Sequence, residues 1–432
     1  MHAIPSRAGQ GLLVSLVLAL AAIPAQAAPA QKAPAASAAS SLTIELSHQL
    51  GADKGNELAA LVERFNAQSK LGRIALSDRP WGQGGQSQLT ILADAEDEAS
   101  LIGARRFKPL WQVMKDAGEP LQTLPVPRFM VPSAVDASGR PLALPVGLST
   151  PVVFFNKDAL SKAGADLSAL PKSWNEWQDV LGKLYQNGVT CPMTVSQPVS
   201  TLIENASAWN NQAFVTGGKN EQIAVNGLIQ VKHIAKMSTW YKSRYLHYFG
   251  RSTEGEDRFA TGECAVLVGP SAAFPTLVRS SAFPVGVSSY PYHDDAYGAP
   301  QNTWADGPAL WVAAGRSASE YKLAAAFVRF WLAPQNQVDW QVNAGYLPLS
   351  SAGLLATQAS KLLKDELAAQ RVAIAQLTFK PVSPFSAASA YGHRAGVRRV
   401  LADEMEQVFA DKKPSKQGLD DAVQRIRSGR MN

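Results

Sequence analysis

Short apolar runs of strand length recur along this chain with amphipathic helical stretches between them, and that alternation admits few folds. Residues 42–48 (LTIELSH) alternate apolar and polar side chains as a strand does. Strand signals return at 89–93, 151–155, 191–195, 264–268 and 309–313. Helical patterns lie between them, at 110–117, 174–185, 228–241, 321–332 and 400–409. Another succeeds the first strand, where Leu58, Leu61, Val62 and Phe65 are spaced for one buried face. The expected architecture is therefore α/β with largely parallel sheets. One helix start is sharply marked: Ser173 and Glu176 in Pro-Lys-Ser-Trp-Asn-Glu form a capping box, which satisfies two amide donors otherwise left over. No internal repeat is visible.

The first residues point to export. Arg7 gives a positive start, residues 11–23 (GLLVSLVLALAAI) are apolar, and Ala25-Gln26-Ala27 supplies a small-residue cleavage site. Residues 1–27 thus read as a signal peptide, with thirteen apolar residues too few to span a bilayer. Residues 28–41 (APAQKAPAASAASS) lack large apolar side chains and cannot offset their ordering entropy, so they read as a linker. The remaining chain, roughly 390 residues, is more than one hydrophobic core usually supports, and two lobes are expected.

The net charge of +6 would suit an acidic partner, but Lys and Arg are scattered, with no basic run interleaved with aromatics. That pattern argues against nucleic acid and for encounter with an anionic solute. Cys191 and Cys264 both sit in apolar, strand-like runs. Export allows them to pair, whereas their surroundings equally suit two buried thiols; separation in sequence does not decide it.

Catalytic signatures are sparse. The chain has no GxxxxGK[ST] loop, HExxH, CxxC or GxSxG; Gly269-Pro270-Ser271-Ala272-Ala273 lacks the second glycine of an elbow. His48, at a strand end, reads as packed or solvated. His293-Asp294-Asp295 reads as an exposed loop, because three successive residues rarely converge on one ion. Neither a metal nor a cofactor is expected.

Four runs then stand in a telling order: Phe154-Phe155-Asn156-Lys157-Asp158, the capped Pro-Lys-Ser-Trp-Asn-Glu, Phe259-Ala-Thr-Gly-Glu-Cys-Ala-Val and Gly345-Tyr-Leu-Pro. They resemble landmarks of the carbohydrate-type ABC solute-binding proteins. Glu204-Asn-Ala-Ser-Ala-Trp-Asn210, Val231-Lys-His-Ile-Ala235, Phe249-Gly-Arg251 and Ala299-Pro-Gln-Asn302 are similar to runs in that family's glycerophosphate-binding branch.

The resemblance implies a two-lobed periplasmic binding protein fold with a hinge and an interlobe ligand cleft. Lobe 1 would comprise 42–150 with 303–345, and lobe 2 would comprise 151–302 with 346–432. It further implies a monomer that captures glycerol-3-phosphate or a glycerophosphodiester, presents it to an ABC permease and ATPase, and catalyses nothing. A neutral sugar binder and a secreted phosphodiesterase are the alternatives. The family's ligand positions fall on Ser149, Ser271, Gly307, Tyr346 and Arg399, a set of donors suited to phosphate. Its remaining positions match poorly. The stretch between Ile74 and Ile91 is shorter by about one helix, leaving Trp81 as its aromatic, and Asp94 or Glu96 stands where the family has a glutamate. Two family tryptophans fall among residues 197–200, which contain none. This implies a wider, more polar pocket suited to a diester.

Overall fold

The computed structural model describes residues 42–77, 79, 87–93, 95–121, 134–136, 138–217, 220–350, 352–353, 355–356 and 366–431. Residues 1–27 and 28–41, expected to be signal peptide and linker, lie outside these residues, as do Trp81 and Asp94.

Two five-stranded sheets organise the chain. In the first, the order is Arg73–Ser77, Thr43–His48, Leu89–Leu92, Ala309–Val312, Leu144–Pro145. The first three strands are mutually parallel, and Ala309–Val312 runs antiparallel to both its neighbours. In the second sheet the order is Val285–Ser288, Pro151–Asn156, Cys264–Pro270, Cys191–Val195, Leu246–His247. Its last three strands are parallel and the first two pairings antiparallel. The sheets are therefore mixed rather than largely parallel. The antiparallel members are the strands that enter straight from the other sheet's side: Pro151–Asn156 comes after Leu144–Pro145 with five residues between, which allows no helical crossover.

Helices pack where their apolar faces predict. Helix Ala52–Gln68 buries Leu58, Leu61, Val62 and Phe65. Phe65 meets Phe327 of helix Ala318–Leu332 edge-on at 5.2 Å between ring centroids. Helix Trp174–Gln186 begins at the expected capping box, with the Ser173 hydroxyl and the Glu176 carboxylate each accepting the other residue's backbone N–H. Its Trp174 and Trp177 are buried in the core of the second sheet, together with residues of helices Val397–Phe409 and Ser415–Arg427.

Cys191 and Cys264 face each other in register on adjacent parallel strands, 4.5 Å apart at Cα, and are joined as a disulfide. His293 is buried, not part of an exposed loop: its Nε2 lies 3.1 Å from Nδ1 of buried His233, while Asp294 and Asp295 are exposed.

Three chain segments pass side by side between the sheets. The amides of Val146 and Gly147 donate to the Pro308 carbonyl, and Ser149 and Asp306 exchange backbone hydrogen bonds of 3.0 Å. The Leu347 amide donates to the Leu148 carbonyl at 2.8 Å, bringing the third segment alongside.

Candidate functional site: the crossing segments and the strand ends beside them

Open α/β sheets present their binding groups beyond the carboxyl ends of parallel strands. Here those ends supply Ser196 after Cys191–Val195 and Ser271 after Cys264–Pro270. The Ser271 amide donates to the Thr150 carbonyl at 2.9 Å, and its hydroxyl accepts the Thr150 amide at 3.4 Å. Thr150 itself has a buried hydroxyl with no hydrogen-bond partner among the described residues, as does Thr303.

Ser149, half-buried, lies on the first crossing segment, opposite Asp306. Gly307 comes next with φ 152°, and a Cβ there would stand 1.9 Å from the Gly147 carbonyl oxygen. Only glycine lets the two crossings come this close. Tyr346 packs on the same crossing: a Cβ at Gly147 would meet Tyr346 Cε1 at 2.8 Å and Pro308 Cγ at 2.4 Å. Its ring stacks on Trp340, 5.8 Å between centroids. Four of the sequence-predicted positions, Ser149, Ser271, Gly307 and Tyr346, are thus gathered around one crossing.

Arg399 is not among them. It is exposed, and its guanidinium donates to the Met431 carbonyl at 2.6 Å. Its neighbour Arg398 reaches the crossing instead. Arg398 Nε and Nη2 donate to the two Glu204 carboxylate oxygens at 2.9 and 2.8 Å, and Nη2 also donates to Asp306 at 2.7 Å. The reason is angular. Helix Val397–Phe409 buries Val397, Val400, Leu401, Glu404, Met405 and Val408. At about 100° per residue, position 399 falls opposite the middle of that face and 398 on its flank.

His393 completes the network. One ring nitrogen meets Glu98 at 2.7 Å and the other meets Asp306 at 3.0 Å. Glu98 sits on helix Ala95–Gly103 and Glu204 on the π-helical turn Ser200–Glu204, so the network ties together elements packed on both sheets. Burial opposes the charge on His393, but the Asp306 carboxylate beside it prevails and lifts its pKa to about 9. Burial likewise opposes ionisation of Asp306, and His393 and Arg398 together hold it far below the usual carboxylate range. Three carboxylates thus face two cations. Glu96, the other stand-in for the family glutamate, accepts the Gly396 amide at 2.6 Å.

On the Tyr346 side the charges differ. Lys54, in the first turn of Ala52–Gln68, holds its ammonium 5.3 Å from the Tyr346 ring centroid. Glu256, on helix Glu254–Ala260, interacts electrostatically with Lys54 and accepts a 3.0 Å hydrogen bond from the buried Ser196 hydroxyl. Burial pushes the Lys54 pKa down and that of Glu256 up, each offset in part by the other's charge. No cluster of three or more metal-ligating side chains occurs among the described residues.

The matched family model, bacterial extracellular solute-binding protein, covers residues 82–365. The chain is 31% identical over 405 residues to the sn-glycerol-3-phosphate-binding periplasmic protein UgpB of Pectobacterium atrosepticum, covering 90% of this chain and 91% of that one. It is 30% identical over 400 residues to its counterpart in Escherichia coli O6:K15:H31, with 89% and 91% covered. Among solved structures, UgpB of Mycobacterium tuberculosis in complex with glycerophosphocholine superposes with a TM-score of 0.71 at 17% identity, over 90% of this chain and 98% of that one. Maltose-bound MalE3 of T. maritima gives 0.69 at 17%, over 89% and 99%. The chain belongs to the bacterial extracellular solute-binding proteins and is periplasmic, with the two-domain binding-protein fold. None of its described helices is long and apolar enough to cross a membrane.

Proposed function

We propose that this protein captures glycerol-3-phosphate or a glycerophosphodiester between its two lobes and delivers it to an ABC permease with its ATPase, catalysing no reaction itself. The observation that carries the reading is the convergence of Ser149, Ser271, Gly307 and Tyr346 on the crossing segments. In a chain of this family, that is where a solute is enclosed. Lobe 1 is 42–150 with 303–345 and lobe 2 is 151–302 with 346–432. The crossings act as the hinge, because a few residues at element ends can absorb a closing rotation. Ser149 and Ser271 offer hydroxyls, while the Gly307 amide donates to the Asp306 carboxylate at 2.7 Å and Arg398, rather than Arg399, pairs with that same carboxylate. Gln197, in the 197–200 stretch where the family's two tryptophans fall, is exposed and left-handed at φ 48°, which supports a pocket wide enough for a diester.

Capture of a neutral sugar is the second reading. It draws on the saturation of Arg398 by Glu204 and Asp306. A thermal-shift panel separates the two, since ligand at about 100 times its Kd stabilises by about 2.7 kcal/mol. Glycerol-3-phosphate or glycerophosphocholine should raise the melting temperature while maltose leaves it unchanged. A shift with maltose alone would overturn the glycerophosphate reading.

A further inference from the structure

We propose that Lys54 is the cation that pairs with the solute's phosphate, and that it tunes the cleft to a singly charged phosphodiester. The inference rests on the glycerophosphate reading above. It begins from how the other cations of the region are engaged. Arg398 spends its Nε and Nη2 donors on Glu204 and Asp306, and both nitrogens of His393 are held by Glu98 and Asp306. Arg279 is paired with Asp53, and Arg399 faces outward. A phosphate entering the Arg398 network would therefore meet three carboxylates whose two cations are already committed.

Lys54 is placed differently. It is half-buried, its ammonium lies over the Tyr346 ring, and it forms no hydrogen bond or ion pair among the described residues. Tyr346 is buried and packs on Gly147 and Pro308, so the ammonium sits beside the crossing that carries Ser149 and Gly307. Its stem comes from a helix of the first sheet, whereas Glu256 and Ser196 come from elements of the second. A ligand held at this point would be held from both sides. The plain alternative is a lysine that lays its methylenes on an aromatic ring and keeps its charge in water. Burial depresses its pKa, however, so the ammonium is already partly stripped of solvent and gains from an anionic partner.

Glu256 sets the charge that fits. One negative charge on a diester matches one ammonium. The second charge of a monoester dianion would find Lys54 already shared with Glu256 and would face that carboxylate.

The test is titration calorimetry on the full-length mature protein and on Lys54→Met and Lys54→Arg, with glycerophosphocholine and sn-glycerol-3-phosphate as probes. Lys54→Met should weaken both by at least about thirtyfold, the range for losing one partner of an enclosed charge pair. Lys54→Arg should keep affinity within about tenfold, because it keeps the charge while changing its geometry. The ligand-free melting temperature of Lys54→Met should match or exceed that of the parent, which separates a binding role from a structural one. Lys54→Met affinity within about threefold of the parent, well under 1 kcal/mol on the affinity scale, would overturn the inference and leave the glycerophosphate reading intact. A parent protein that binds neither probe would overturn both.

Discussion

Replacing Arg398 with alanine tests the charged network by removing the cation that pairs with its most buried carboxylate. The guanidinium makes two hydrogen bonds to Glu204, whose side chain is 4% exposed, and one to Asp306, which keeps His393 as a second partner. Glu204 therefore bears most of the loss. Breaking a buried pair from one side costs about 3–5 kcal/mol. Arg398→Ala should accordingly destabilise the protein by about 3–5 kcal/mol. Adding Glu204→Gln to that variant removes the stranded charge and should recover at least about half of the loss. Urea unfolding of the parent and both variants, read at matched slopes, measures the differences. A loss that Glu204→Gln does not relieve would refute the reasoning, because it would then be one of packing rather than charge.

Three further outcomes depend on buried groups. Burial, then neighbouring charge, depresses the pKa of His233 and takes that of His293 to about 4. Both fold with pKa values below the unfolded one, so their contribution is complete above about pH 6.5 and is lost as pH falls toward 4, by up to about 1.4 kcal/mol per pH unit per group. His293→Gln should flatten the acid limb of a pH–stability curve, and an unchanged slope would contradict this. His393 works in the opposite sense: its raised pKa stabilises fully below about pH 6.5, and that contribution disappears as pH rises through about 9, which an alkaline melt of His393→Gln against the parent would show. Reducing the Cys191–Cys264 bond, which closes a span of 73 residues, should lower stability by about 4 kcal/mol; a urea midpoint insensitive to reductant would rule that out.

The fold was legible in the sequence wherever burial leaves a period. The helix carrying Leu58 to Phe65 and the capped helix at Ser173 are both present as expected. Strands Arg73–Ser77 and Val285–Ser288 lie at sheet edges and mix exposed or half-buried positions with buried ones, so no apolar run announces them. Helix Pro334–Ala344 turns Gln337 and Gln341 inward, which hides its apolar stripe.

At the site, the resemblance located the crossings because glycine, serine and tyrosine occupy fixed places on them. It pointed to Arg399, which the structure turns outward while Arg398 joins the charged network, as the spacing of Val397, Val400, Leu401 and Met405 implies for position 399. His393, Glu98 and Lys54 left no local signal. Their roles arise from partners 295 residues apart in one case, a proximity that only the folded chain creates.

The most direct measurement is a pair of dissociation constants at matched salt, for glycerophosphocholine and for sn-glycerol-3-phosphate, because screening alone shifts charge-driven affinities. An open cleft with one phosphate-facing cation predicts that the diester binds no worse than the monoester. A preference of about a hundredfold for the monoester, near 2.7 kcal/mol, would contradict an open cleft of that kind.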